Sequence, residues 1–179
     1  MKNVQSRQAL LERLLNRLYG QRLVRNVLRG ELVEQMILDA LGEDWIAGSD
    51  YGEWDVEHPP SGTRIQVKQS TALQSWSEEG CLASVPRYII KATRAYSYKT
   101  RLYEADPRRH ANIYIFAWHP LVDVEADHCD PNQWLFYIVK TDLLPNQQSI
   151  GLSRLERLCE PVFISELADA MHQIAGVSG

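Results

Sequence analysis

The stretch Trp54-Asp55-Val56-Glu57-His58-Pro59-Pro60-Ser61-Gly62-Thr63-Arg64-Ile65-Gln66-Val67-Lys68 decides the fold. Pro59-Pro60-Ser61-Gly62 is a turn signal between flanks rich in strand formers, so the segment reads as a β-hairpin. With those four residues as the loop, His58 faces Thr63, Glu57 faces Arg64, Val56 faces Ile65 and Asp55 faces Gln66. Residues two apart in a strand share a face. Gln66 and Lys68 therefore point one way with Asp55 beside them, while Val56, Ile65 and Val67 point the other way into a core. A carboxylate, an amide carbonyl and an ammonium group converge. Divalent-metal phosphodiester chemistry uses that set: hard oxygen ligands for Mg²⁺ and a cation near the attacking water or the phosphate.

Upstream, leucines 10, 11, 14, 15 and 18 recur at helical spacing and predict a helix over 4–19. A second apolar stripe (Leu32, Val33, Met36, Ile37, Ala40, Leu41) predicts a helix over 21–41 stopped by Gly42, or two helices broken at Gly30. Residues 43–53 read as a short strand or loop, and 71–85 as an irregular connection. Pro86, a favoured first-turn residue, opens a predicted third helix to Glu104. The nearly continuous apolar runs 113–118 and 134–139 predict strands, the first buried on both faces. A final helix is expected over 164–174 with Ser165 as its cap. The order predicts an α/β fold: a mixed β-sheet with helices on both faces, preceded by an N-terminal helix.

The 179 residues suit one domain, divided into an N-terminal helical extension (1–24), a core (25–140) and a C-terminal helical segment (141–179). No apolar run approaches the roughly 18 residues of a membrane span, and no signal-peptide core follows the N-terminus. Cys81, Cys129 and Cys159 form no CxxC pair and fit free thiols in a reducing cytoplasm. The net charge of -4 hides an asymmetry: residues 1–30 carry a basic surplus of six and residues 86–110 a surplus of five. Such segments permit nucleic-acid binding, or merely solvate two amphipathic helices.

The element order and the hairpin residues together resemble the PD-(D/E)XK nuclease superfamily, the restriction-endonuclease-like fold. Asp55 matches its first acid and Lys68 its lysine, while Gln66 stands where Asp or Glu is usual, giving a Gln-x-Lys variant. Many members place a Glu on the first core helix, and Glu31 is the best match, with Glu34 in reserve. The resemblance covers about residues 25–140. It implies a deoxyribonuclease with catalytic residues Asp55, Gln66, Lys68 and Glu31, using Mg²⁺ (or Mn²⁺) held by Asp55, the Gln66 side chain, the Val67 carbonyl and Glu31. It implies DNA as partner, with RNA left open, no membrane, and a homodimer where two sites must cut two strands. Gln69, Lys91 and Arg94 are the candidate phosphate contacts. The amide at position 66 leaves a second function open: a catalytically inactive nucleic-acid-binding or protein-interaction module of the same fold.

Other features weigh less. An Asp55–Lys68 surface ion pair would contribute under about 1 kcal/mol. Tyr96 and Tyr98 read as core or rim residues, and His58 as a turn-edge residue. His119, Asp123, Asp127, His128 and Cys129 lie close in sequence without a standard zinc spacing, in a loop marked by Pro120 and Pro131. Neither a GxSxG nucleophile motif nor a phosphate-cradling glycine loop is present.

Overall fold

A computed structural model describes residues 6–49, 52–78, 80–97 and 99–176. In chain order its elements are α1 (Arg7–Tyr19), α2 (Asn26–Leu41), β1 (Ile46–Ala47), β2 (Val56–His58), β3 (Thr63–Thr71), β4 (Arg87–Ile89), β5 (Tyr96–Ser97), β6 (Leu102–Tyr103), β7 (Ile113–His119), β8 (Leu135–Lys140), β9 (Ser149–Gly151), α3 (Leu152–Leu155) and α4 (Leu167–Ala175). The fold is α/β around a mixed five-stranded sheet ordered β1-β2-β3-β7-β8. β3 and β7 run parallel, and every other neighbouring pair is antiparallel.

The hairpin adopts the register its sequence dictates, with Val56 opposite Ile65, Glu57 opposite Arg64 and His58 opposite Thr63. Gly62 takes a φ of 70°, a left-handed conformation at no Cβ penalty, and the Ser61 and Gly62 N–H groups both return to the His58 carbonyl. His58 is buried, against the ring of Trp45 at 4.9 Å.

Alternation in β3 and unbroken apolarity in β7 set the two faces of the sheet. On one, Val56, Ile65, Val67 and Ile115 pack against Val33 and Ile37 of α2 and Leu167 and Met171 of α4. On the other, Phe116, Tyr137 and Val139 pack under Tyr88, Ile90, Ile150 and Leu155. Each such fully buried apolar side chain contributes roughly 1.5–3 kcal/mol. The second face is covered mainly by the antiparallel β4–β9 ribbon, with α3 adding a single turn. α1 carries no buried residue, and Leu10 and Leu15 on it are more than half exposed.

Three sequence expectations are corrected. Residues 86–104 form no helix but the strands β4, β5 and β6. The reason is visible in Arg87-Tyr88-Ile89-Ile90-Lys91, where exposed and buried residues alternate with period two, and in a tyrosine- and threonine-rich continuation. α2 begins at Asn26, not 21, and continues through Gly30 unbroken. Residues 21–23 are bends, and the Val24 N–H, which a longer helix would turn inward, donates instead to His128 Nδ1 at 3.0 Å. Ser165 is not a helix cap. It lies within a 3₁₀ turn, Ile164–Glu166, whose entry is closed by the Phe163 N–H donating to the Glu166 carboxylate at 2.9 Å. Tyr98 lies outside the described residues. Among the described residues no helix is long and apolar enough to cross a membrane.

Candidate metal centre

β2 is short, and the site forms where it leaves β3. The Asp55 N–H donates to the carbonyl of Ile65, the residue already paired with Val56, at 2.9 Å, so the regular ladder ends here. The next β3 donor, the Val67 N–H, has no strand opposite it and turns to Asp55 Oδ2 at 2.6 Å. The Gln66 amide N–H₂ donates to the same oxygen. The β2–β3 register ends at Val56 and Ile65, so Asp55 meets Gln66 through its side chain and not as a ladder pair, and its carboxylate closes the open end of the ladder. Gly48 makes this approach feasible: its N–H donates to the Asp55 carbonyl at 2.7 Å, and a Cβ there would overlap the Trp54 carbonyl oxygen.

α2 crosses this end of the sheet and brings acids to it. Burial pushes the Asp55 carboxyl above its ordinary range, and the nearby Glu31 charge adds to that. The Val67 N–H, the Lys68 ammonium and the Gln66 amide oppose it. Glu34 is pushed up to about 7, by burial first and then by the charges of Asp55 and Glu31, with Lys68 opposing. Glu34 is half-buried whereas Glu31 is exposed, so the reserve candidate is the carboxyl held more deeply at Asp55. No ion pair within 4 Å joins Lys68 to an acid among the described residues, so the bland cross-strand salt bridge does not form.

The chemistry of the donors fits a hard divalent cation. Both carboxyls are desolvated, Glu34 is raised further by the Asp55 and Glu31 charges and Asp55 by that of Glu31, and a cation bound beside them would stabilise their charged forms. Mg²⁺ keeps several waters and needs only one or two carboxylates from a protein. The Gln66 carbonyl oxygen receives no hydrogen bond among the described residues and is left as a neutral donor. No three His, Cys, Asp or Glu side chains form a ready metal cage among the described residues. A cation would therefore be held by Asp55 and Glu34 with neutral oxygens from Gln66, Val67 and water.

The proposed phosphate contacts are dispersed. Gln69 is engaged internally: its Oε1 accepts from Arg29 Nε at 2.7 Å and its amide N–H₂ donates to Asn26 Oδ1 at 3.1 Å. Lys91 and Arg94 are exposed, but on extended chain and not on a helix. Not every basic residue of the two surplus segments is available. Arg109 donates to the carbonyls of Ile90, Leu144 and Pro145, and Arg29 is buried.

Sequence reasoning missed the neighbours of Asp55 on its outer side. The Arg64 guanidinium lies 3.6 Å above the Trp54 ring and pairs with Glu57 at 3.3 Å. The Trp54 indole N–H donates to Glu57 at 3.2 Å. The signal was the Glu57–Arg64 register of the hairpin, which already put an acid and a base opposite one another. In the His119–Cys129 region no three His, Cys, Asp or Glu side chains gather into a metal-holding group among the described residues. His119 and His128 are buried ring to ring at 4.9 Å beside Trp134, Asp127 Oδ1 accepts from the Cys129 N–H at 2.9 Å, and Cys129 Sγ donates to the Tyr19 carbonyl of α1 at 3.7 Å.

Comparison of the chain with models of protein families, with curated proteins and with solved structures found no match.

Proposed function

We propose that this chain is a Mg²⁺-dependent deoxyribonuclease of restriction-endonuclease-like fold, hydrolysing DNA phosphodiester bonds at the Asp55, Gln66, Lys68 and Glu34 face. The observation that carries the reading is the pair of half-buried carboxyls, Asp55 and Glu34, with raised proton affinity and Lys68 as the cation acting on both. Acids raised by burial together with a specific neighbouring charge make a candidate functional site. A bound Mg²⁺ would supply Lewis-acid polarisation of the scissile phosphate. Asp55 fixes the ligand set because two hydrogen bonds from β3 hold its carboxylate in place. Lys68 orients the attacking water and steadies charge on the phosphate oxygens. Glu31, exposed on the same helix, acts on the centre through its charge.

Plasmid and linear DNA incubated with the protein in Mg²⁺ or Mn²⁺ test this. Cleavage is expected, and Asp55→Asn or Lys68→Ala should slow it by about 100-fold or more. Cleavage that survives both substitutions sinks the reading.

A second reading has its own observation. Asp55 Oδ2 already accepts from Val67 and Gln66, so the carboxylate also serves as a structural closure of the ladder. On that reading the chain binds nucleic acid or protein and does not cut. Gln66→Glu separates the two: it should tighten Mn²⁺ binding in a metal centre and leave it unmeasurable in a structural one.

A further inference from the structure

A cavity of about 420 Å³ opens beside the proposed centre, between the Trp54–Arg64 stack and the β5–β6 hairpin. This is within the roughly 300–1,000 Å³ range of small-ligand sites. Three aromatic rings line it: Trp54, Tyr96 and Tyr103, the two tyrosines facing each other across the hairpin at 5.0 Å. Arg64, its guanidinium carbon 3.6 Å from the Trp54 ring centroid, brings a planar cation to the cavity lining. Arg108, on the opposite wall, is bound to Glu104 at 2.8 Å, so its charge is offset within the cavity. Three aromatic rings and offset charge suit the faces of a nucleobase better than a phosphate.

Its position connects it to the centre. Trp54 directly precedes Asp55, and Arg64 lies two residues before Gln66 on the same face of β3, about 7 Å away. A strand whose phosphate lies at Asp55 and Lys68 therefore reaches the cavity within one or two nucleotides. The hairpin that closes it carries exposed Lys99 and Arg101 at its tip, while Lys91 and Arg94 are exposed before it. Its two strands are joined by two residue pairs, Tyr96 with Tyr103 and Ser97 with Leu102.

We propose that this cavity seats the base of an unpaired nucleotide next to the scissile phosphate, so that the substrate is single-stranded DNA. A paired base keeps its faces stacked within the duplex and offers the three rings nothing to stack on. The inference rests on the nuclease reading only for where the strand runs.

Binding in EDTA tests it without cleavage. A labelled DNA strand and the same strand annealed to its complement are titrated with protein, and anisotropy is read. The single strand should bind about tenfold tighter than the duplex. Tyr103→Ala should lose about tenfold for the single strand and less than about twofold for the duplex, whereas Tyr103→Phe keeps the affinity because the ring does the stacking. Single-strand binding should also quench tryptophan fluorescence, and Trp54→Phe should remove that quenching. Equal or tighter duplex binding, or single-strand affinity indifferent to Tyr103→Ala, overturns the proposal. Strand-selective binding in EDTA without cleavage in Mg²⁺ upholds this proposal and sinks the nuclease reading. Cleavage without strand selectivity does the reverse.

Discussion

Strand β3 serves two polar clusters, and they are built on opposite terms. Around Gln69 and the neighbouring Gln74, polar groups are buried and largely satisfied. The Arg29 guanidinium, 1% exposed, donates to Gln69, Asn26, Gln74 and the Val24 carbonyl, all neutral acceptors. Burial lowers its pKa to about 10, and four acceptors keep the cation in place. Around Val67 and Lys68 the reverse holds. Two carboxyls are crowded together, a lysine pairs with neither at ion-pair distance, and both acids hold their protons more tightly than usual. A buried charge surrounded by its full complement of partners stabilises one arrangement of the chain. A half-buried charge without its complement retains free energy that a ligand can release. The first cluster holds α2 on the sheet, and the second is the one on which the proposed chemistry rests.

Predictions follow from breaking each cluster in turn. Arg29→Ala should cost about 3–4 kcal/mol in chemical denaturation, because four acceptors lose their donor in a place with little access to water. A loss under about 1 kcal/mol would mean that the first cluster is no more structural than the second. Gly48→Ala should cost about 1–3 kcal/mol, since the new Cβ displaces the Trp54 carbonyl. Because that shift moves Asp55, the stabilisation by Mg²⁺ in a thermal melt should shrink with it.

The clusters should also respond to pH with opposite signs in the metal-free protein. Glu34 rises from 4.5 to about 7 on folding, so the folded state holds the proton more strongly. Its contribution to stability is present below about pH 4.5 and is lost as pH rises through 7. His128 falls from 6.5 to about 4 because burial, and then the nearby Arg29 charge, disfavour its cation. Its contribution is present above about pH 6.5 and is lost as pH falls through 4. Relative to the unmodified chain, Glu34→Gln should gain in urea midpoint as pH rises from 4 to 8, and His128→Asn should gain as pH falls. Parallel trends in the two variants would erase the distinction. The smallest effect belongs to Lys68→Ala, whose stability should change by about 0.5 kcal/mol or less in the same denaturation experiment. A larger loss would place Lys68 in the structural cluster.

The sequence made the hairpin legible because its signals are local. A four-residue turn and a two-residue period fix which side chains share a face, so the register from His58–Thr63 to Val56–Ile65 and Val56, Ile65 and Val67 in the core were readable, with the Asp55 carboxylate beside the Gln66 amide. The two apolar strands were equally plain. What stayed hidden depends on contacts distant in sequence. Residues 86–104 carry both a helix-start proline and a strand alternation, and the choice between them is made by the pairing of Tyr88 with Ile150, far along the chain. Arg29 counted as a surface charge until its acceptors, Gln69 and Gln74, were brought to it from β3 and its connection. Glu34 outranks Glu31 only because α2 is rotated by its apolar stripe onto the sheet, which sets one acid inward and leaves the other in solvent. The aromatic cavity required a hairpin that the helical reading had erased.

The parallel pairing of β3 with β7 forces the chain to make a long excursion, residues 72–112, before the next central strand can form. Loop-closure entropy grows only with the logarithm of length, so doubling a flexible excursion adds about 0.6 kcal/mol. The β5–β6 hairpin is carried on that excursion, outside the central sheet. Its length and tip are therefore nearly free to vary, whereas a one-residue slip between β2 and β3 would turn Asp55, Gln66 and Lys68 to the wrong face. The molecule thus separates a fixed frame, which includes Ile90 and Arg109, from an exchangeable arm, and grafting a different hairpin in place of β5 and β6 is the change this architecture tolerates best.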